Sequence, residues 1–212
     1  MFGFKGKFAA IQSTVFPQER RCPVQEIIGK FAGILALIGY ALYIWAILRG
    51  ETKPSKTTWW IWTPVVLTLF FSAEASGAKE TLWVARAEVV GIISIALLSL
   101  KFGSDEKQKG EWFCIVGSAV SLLILWFGAP SLALFVALAT DSFALWPTIQ
   151  KTIRNPKEED RLAWVFTQTA NLFNLCAISS WSFGDVIYPI WLFILDGIVL
   201  YLIIFPKGKE VK

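Results

Sequence analysis

Two acids sit where the surrounding sequence offers them no water. Asp141 and Asp196 each lie about ten residues inside the apolar stretches Ser131–Gln150 and Val186–Phe205. At ~1.5 Å of rise per helical residue, that is roughly 15 Å, the middle of a bilayer's hydrocarbon layer. A carboxyl group at that depth can bind a cation or exchange a proton, and its cost makes it a functional candidate. A third stretch, Leu162–Ser179, carries Trp164, Gln168, Asn171 and Asn174. Their spacing of four, three and three puts all four on one helical face. Asn and Gln amides offer donors and acceptors suited to a neutral polar ligand, and Trp164 offers a flat stacking face. These six residues are the candidate binding set. The same polar groups also have a structural reading, as interhelical hydrogen bonds that hold a bundle together.

Other residues suggest gates and hinges. Glu74 ends the stretch Trp59–Ser76, and Arg86 and Glu88 open Leu82–Leu100, so a Glu74–Arg86 ion pair reads either as a gate or as a structural pair. Pro64 and Pro147 fall in or at the ends of apolar stretches, where a missing backbone N–H makes either a hinge or a fixed kink. Glu158, Glu159 and Asp160 lie among Lys151, Arg154, Lys157 and Arg161, a second place for a salt-bridge gate.

The elements that must position these residues are seven apolar stretches: Glu26–Leu48, Trp59–Ser76, Leu82–Leu100, Trp112–Gly128, Ser131–Gln150, Leu162–Ser179 and Val186–Phe205. Each is about as long as a spanning helix requires. Of the 212 residues 55% are hydrophobic and only 17% charged, and the mean hydropathy is +0.56, where a soluble domain carries about 25% charge. Lys and Arg concentrate on alternate connections: Arg49 to Lys56, Lys101 to Lys109, Lys151 to Arg161, and Lys207 to Lys212. The positive-inside rule then puts the C-terminus in the cytoplasm and, with seven spans, the N-terminus outside a cell (inner) membrane. The first segment dissents, with Lys5, Lys7, Arg20 and Arg21. It has no continuous apolar run to mark a signal peptide, and its Phe2, Phe4, Phe8, Ile11, Val15 and Phe16 suit either a helix lying on the headgroups or a frayed tail.

Absences narrow the chemistry. The chain has no His, and Cys22, Cys114 and Cys176 are isolated, so a His-containing zinc site, a haem His ligand and a Ser-His-Asp triad are excluded. No catalytic residue, metal or cofactor is expected, and no enzyme. The net charge of +4 needs only anionic lipid, not nucleic acid, as its partner. A retinal protein fails because the seventh stretch has no Lys for a Schiff base.

The stretches also repeat. At an offset of 102 residues Ile47 matches Ile149, Arg49 matches Lys151, Pro54 matches Pro156, Trp62 matches Trp164 and Phe71 matches Phe173. A single intervening helix would restore the starting side, leaving two parallel three-helix units. With Trp146-Pro147-Thr-Ile-Gln150-Lys151 and Lys53-Pro54…Trp59-Trp60-Ile-Trp62, the chain resembles the PQ-loop/SWEET superfamily over about residues 26–206. Its motif is degenerate: Gln150 stands three residues after Pro147, and the first unit has Trp45 where the motif's Pro would be. The expected fold is an all-α membrane protein of seven helices in a 3+1+3 arrangement. It comprises an N-terminal segment 1–25, a first bundle 26–100, a linker helix within 101–130, a second bundle 131–206 and a tail 207–212. The resemblance implies a transporter of a small polar solute by alternating access, with proton coupling through Asp141 or Asp196 as an option and a homo-oligomer compatible with it. A vitamin carrier resembling the nicotinamide riboside transporters, and a non-transporting lipid-binding or assembly protein, are the alternatives. At the repeat offset Gly39 matches Asp141, Leu69 matches Asn171, Ser72 matches Asn174 and Ser94 matches Asp196, so polarity is expected mainly in the second unit.

Overall fold

The computed structural model describes residues 23–104, 111–156 and 159–206. The segment before residue 23 and the tail after 206 lie outside the described residues, as does Glu158. Seven helices follow one another: α1 (Pro23–Leu48), α2 (Lys56–Ala75), α3 (Leu82–Phe102), α4 (Glu111–Trp126), α5 (Pro130–Arg154), α6 (Arg161–Cys176) and α7 (Phe183–Ile204). Their starts follow local chemistry. The side chains of Ser55, Asp160 and Ser182 accept from the first-turn N–H groups of Thr58, of Leu162 and Ala163, and of Asp185, satisfying donors that a helix otherwise leaves open. Pro130 opens α5, where its missing N–H costs nothing.

Four helices, α1, α3, α5 and α7, are long and apolar enough to cross a membrane. That is fewer than the seven spans expected. Helix α4 is apolar but short. Helix α6 has only 16 residues, and α2 and α6 carry polar side chains such as Thr58, Thr68, Ser72, Gln168, Asn171 and Asn174. Packing explains how that polarity is tolerated: α2 is walled by α3, α4, α5 and α7, and α6 by α1, α3 and α7. Thr68, Ser72, Asn171 and Asn174 are buried there, whereas large apolar side chains such as Ile34, Val90, Leu97, Leu123, Phe143 and Ile194 face outward.

Sequence neighbours are not always spatial neighbours. Helix α1 packs on α3 and α6, α2 on α3 and α5, and α7 on α5 and α6, while α1 and α2 meet through side chains alone, the Tyr43 and Trp59 rings lying 5.4 Å apart. Close approach of α1 to α3 depends on Gly29 and Gly33, four residues apart. A Cβ at Gly33 would come 2.9 Å from the Trp83 carbonyl oxygen, and one at Gly29 would collide with the Glu80 carbonyl. Small residues at this spacing let two helix backbones meet.

The connections close the two ends differently. At the basic-loop end, Lys56 donates its N–H to the Ser104 carbonyl at 3.0 Å and Ser104 donates to Pro54 at 2.9 Å, tying the α1–α2 turn to the end of α3. At the opposite end, the Gly184 N–H meets the Ser76 carbonyl at 3.3 Å, joining the α2–α3 and α6–α7 turns.

Candidate functional site

A cavity of about 300 Å³ enters between the basic connections and reaches the middle of the bundle. Its mouth is formed by Lys53, Pro54 and Ser55 of the first turn, Ser104, Lys151 and Glu159. Tyr43, Trp59, Trp62 and Trp164 wall its middle, and its deep end holds Tyr40, Glu88, Asp141 and Asp196. Trp62 and Trp164, matched by the sequence repeat, both reach this wall, as do Gly39 and Asp141.

The three acids are held differently. Asp196 accepts from the Asn171 amide at 2.8 Å. Glu88 is buried and accepts the phenolic hydrogen of Tyr188, itself fully buried on α7. Asp141 has no hydrogen-bond partner among the described residues and faces the cavity. Glu88 and Asp141 interact electrostatically with Asp196, and with each other, across the cavity. Among the described residues no three acid, Cys or His side chains stand close enough together to hold a metal ion. Tyr40 is fixed by contact: a Cβ at Gly91 would overlap the Tyr40 ring, so the absent side chain on α3 makes room for that ring at the deep end.

The polar face of α6 divides between two roles. Trp164 donates its indole N–H to Glu159 at 3.1 Å, and the other Glu159 oxygen lies 3.2 Å from the Lys151 ammonium. The basic-end salt-bridge cluster therefore forms through Glu159, while Asp160 caps α6. Gln168, read from sequence either as a binding residue or as an interhelical tie, donates to the Phe193 carbonyl at 3.2 Å on α7 and is not among the residues that line the cavity. Asn174 is fully buried, outside the cavity lining, and neither polar atom of its side chain has a partner. Ser72, its repeat match on α2, is equally buried with an unpartnered hydroxyl.

Other candidates fall elsewhere. Glu74 and Arg86 are both exposed, and no ion pair joins them among the described residues. The Arg86 guanidinium lies instead over the Trp83 ring, 4.7 Å from its centre, because both charges point away from the bundle. Pro64 lies inside α2, followed by Thr68, whose hydroxyl donates to the Pro64 carbonyl at 2.7 Å. Position 147 lies within the continuous helix α5.

Two acids matter more than the sequence reading allowed. Glu88 was placed near a helix end, with polarity expected mainly from residues after 131; it lines the cavity with Tyr40, both from before residue 100. Ser94, the repeat match of Asp196, bonds back to the Val90 carbonyl at 2.7 Å and does not line the cavity. Asp185 was not singled out at all. It is fully buried at the end opposite the mouth. Its carboxylate accepts from the Thr81 hydroxyl at 2.6 Å and from the N–H groups of Ser180 at 2.8 Å, Ser179 at 3.0 Å and Lys79 at 3.4 Å. One side chain thus ties the α2–α3 turn to the α6–α7 turn. The only sequence signal was an acid in a first helical turn, which ordinarily reads as a dipole partner. Comparison of the chain with protein-family models, curated proteins and solved structures gives no match.

Proposed function

We propose that this chain is a membrane transporter of a small polar solute that works by alternating access. The observation that carries the reading is the cavity, which runs from residues of the basic connections to Glu88, Asp141 and Asp196, while Asp185 ties two turns together at the opposite end of the bundle. A passage that reaches ionisable groups in the middle of a helix bundle is what a transport cycle requires. Its volume, at the lower end of the range for small-molecule sites, fits a small solute.

The helix pairing supports a 3+1+3 plan and, with it, the PQ-loop/SWEET resemblance. Exchange α1, α2 and α3 for α5, α6 and α7, and the contacts map onto one another. The α1·α3 and α2·α3 pairs become α5·α7 and α6·α7, and the α1·α6 pair becomes α5·α2. Helix α4 is the connector between the two units, packing on α5 and α2. In this reading the basic end is cytoplasmic, the N-terminus lies outside, and the cavity opens inward. Pro64 and Pro147 are the flexible points about which α2 and α5 shift when the Asp185 ties break.

Uptake tests this directly. Proteoliposomes containing the protein are offered sugars, nucleosides, vitamins and amino acids, with and without a proton gradient. Saturable uptake of at least one solute, lost in an Asp141→Asn, Asp196→Asn double variant that remains folded, is the expected result. No uptake of any solute would favour a lipid-binding or assembly role.

A further inference from the structure

We infer that the transported solute is a compact organic cation. The inference rests on the transport reading above and names its substrate class. The cavity carries an asymmetric set of charges. At its deep end stand three carboxyl groups, Glu88, Asp141 and Asp196, with no Lys or Arg among the residues that line that level. The lining Lys53 and Lys151 belong to the mouth, and Lys151 is engaged by Glu159. An anionic solute would find no cationic group at the floor, whereas a cation would find carboxyl groups that are otherwise expensive to ionise away from water.

The carboxyl groups are not equivalent, and the difference matters. Asn171 holds Asp196 and Tyr188 holds Glu88, but Asp141 faces the space with no protein partner among the described residues. It is the group left for a ligand. Trp62 and Thr58 also line this space, and their indole N–H and hydroxyl have no protein partner among the described residues, though both atoms lie beneath the cavity surface.

The remaining wall selects among cations. Tyr40, Tyr43, Trp59, Trp62 and Trp164 present aromatic rings around the same space. Their quadrupoles attract an ammonium or guanidinium group, and their area accepts its carbon skeleton. A bare metal cation would gain little from those rings. It would also lack a protein coordination set, because no three acid side chains of the described residues stand close enough to share one ion.

The test uses pairs of solutes matched in shape and differing in charge: choline with 3,3-dimethylbutan-1-ol, and L-arginine with L-citrulline. The full-length protein is reconstituted into liposomes with equal pH on both sides, beside the uptake panel described above. The charged member of at least one pair is expected to compete for the entry of a transported solute about ten-fold better than its neutral partner, competition being the readout because 3,3-dimethylbutan-1-ol crosses liposomes unaided. Asp141→Asn is expected to abolish that preference, Asp141→Glu to retain part of it, and Trp62→Leu to raise the cation's KM by roughly three- to ten-fold. Circular dichroism and thermal unfolding establish that each variant is folded. Equal or better competition by the neutral members, or saturable uptake only of neutral solutes such as sugars, would overturn the cation assignment and leave transport standing. Absence of uptake across the entire panel would overturn transport itself.

Discussion

Replacing Asp185 by alanine should loosen the end of the bundle opposite the cavity mouth. The side chain is fully buried, and its three shortest bonds, from Thr81 at 2.6 Å, Ser180 at 2.8 Å and Ser179 at 3.0 Å, all come from other turns. Removing the acceptor leaves those donors without a protein partner. At about 1–1.5 kcal/mol for each bond, the loss is ~3–5 kcal/mol. For a chain of this length each kcal/mol moves the midpoint by about 2–4 °C, so the expected fall in Tm is on the order of 10 °C. Asp185→Asn keeps the shape and one acceptor oxygen but turns an amide toward some of the donors, so it should fall between parent and alanine. Thr81→Val removes one bond and should cost only about 1–1.5 kcal/mol. Thermal unfolding in detergent, followed by tryptophan fluorescence and circular dichroism, measures the series. The order parent, Thr81→Val, Asp185→Asn, Asp185→Ala is the expected result. An Asp185→Ala protein within about 1 kcal/mol of the parent would refute the idea that this carboxylate ties the two turns together.

Further perturbations test the cavity's construction. Tyr188→Phe removes the only hydroxyl that serves buried Glu88 among the described residues, and the unfolding midpoint should fall by the equivalent of about 1–3 kcal/mol. Gly91→Ala puts a methyl into the Tyr40 ring, so overpacking of about 1–3 kcal/mol is expected, with a matching drop in Tm and displacement of Tyr40 toward the cavity seen as weaker solute binding. Asn171→Ala frees Asp196 from its amide; uptake should lose affinity, read as a raised KM, while Asn174→Ala, whose amide has no partner to lose, should be tolerated with little change in Tm.

Much of this architecture was legible in the sequence because the apolar runs are long and end abruptly. Ser55, Asp160 and Ser182 cap helices next to connections rich in charge, Gly or Pro, so helix boundaries follow local chemistry. Depth counting also found Asp141 and Asp196, since distance from a helix end converts directly to depth along a straight span. It failed for Glu88, which lies seven residues into α3 but is covered by Tyr188, a residue one hundred positions away. Asp185 was hidden in part for the same reason: Thr81 and Lys79 come from a turn about one hundred positions away, while Ser179 and Ser180 lie in the turn just before it. Helical spacing put Trp164, Gln168, Asn171 and Asn174 on one face, yet that face meets different surroundings along its length. Trp164 borders the cavity, Asn171 holds one of its acids, and Gln168 is bonded to α7. Spacing defines a face; only packing tells what the face meets. Hydropathy marks only four of the seven helices as long and apolar enough to span, because it reads lipid contact, whereas α2 and α6 hold polar side chains shielded by neighbouring helices.

The central claim is that one deep cavity is served in turn from two sides. Leu69→Cys reports on it, because Leu69 lines the cavity while remaining almost wholly buried. The native Cys22, Cys114 and Cys176 are replaced by alanine in the same chain. A membrane-impermeant maleimide is then applied from either side of oriented vesicles. The account predicts labelling from both sides, with Asp185→Ala shifting the ratio toward the side opposite the basic loops. Labelling from one side alone, unchanged by Asp185→Ala, would contradict it.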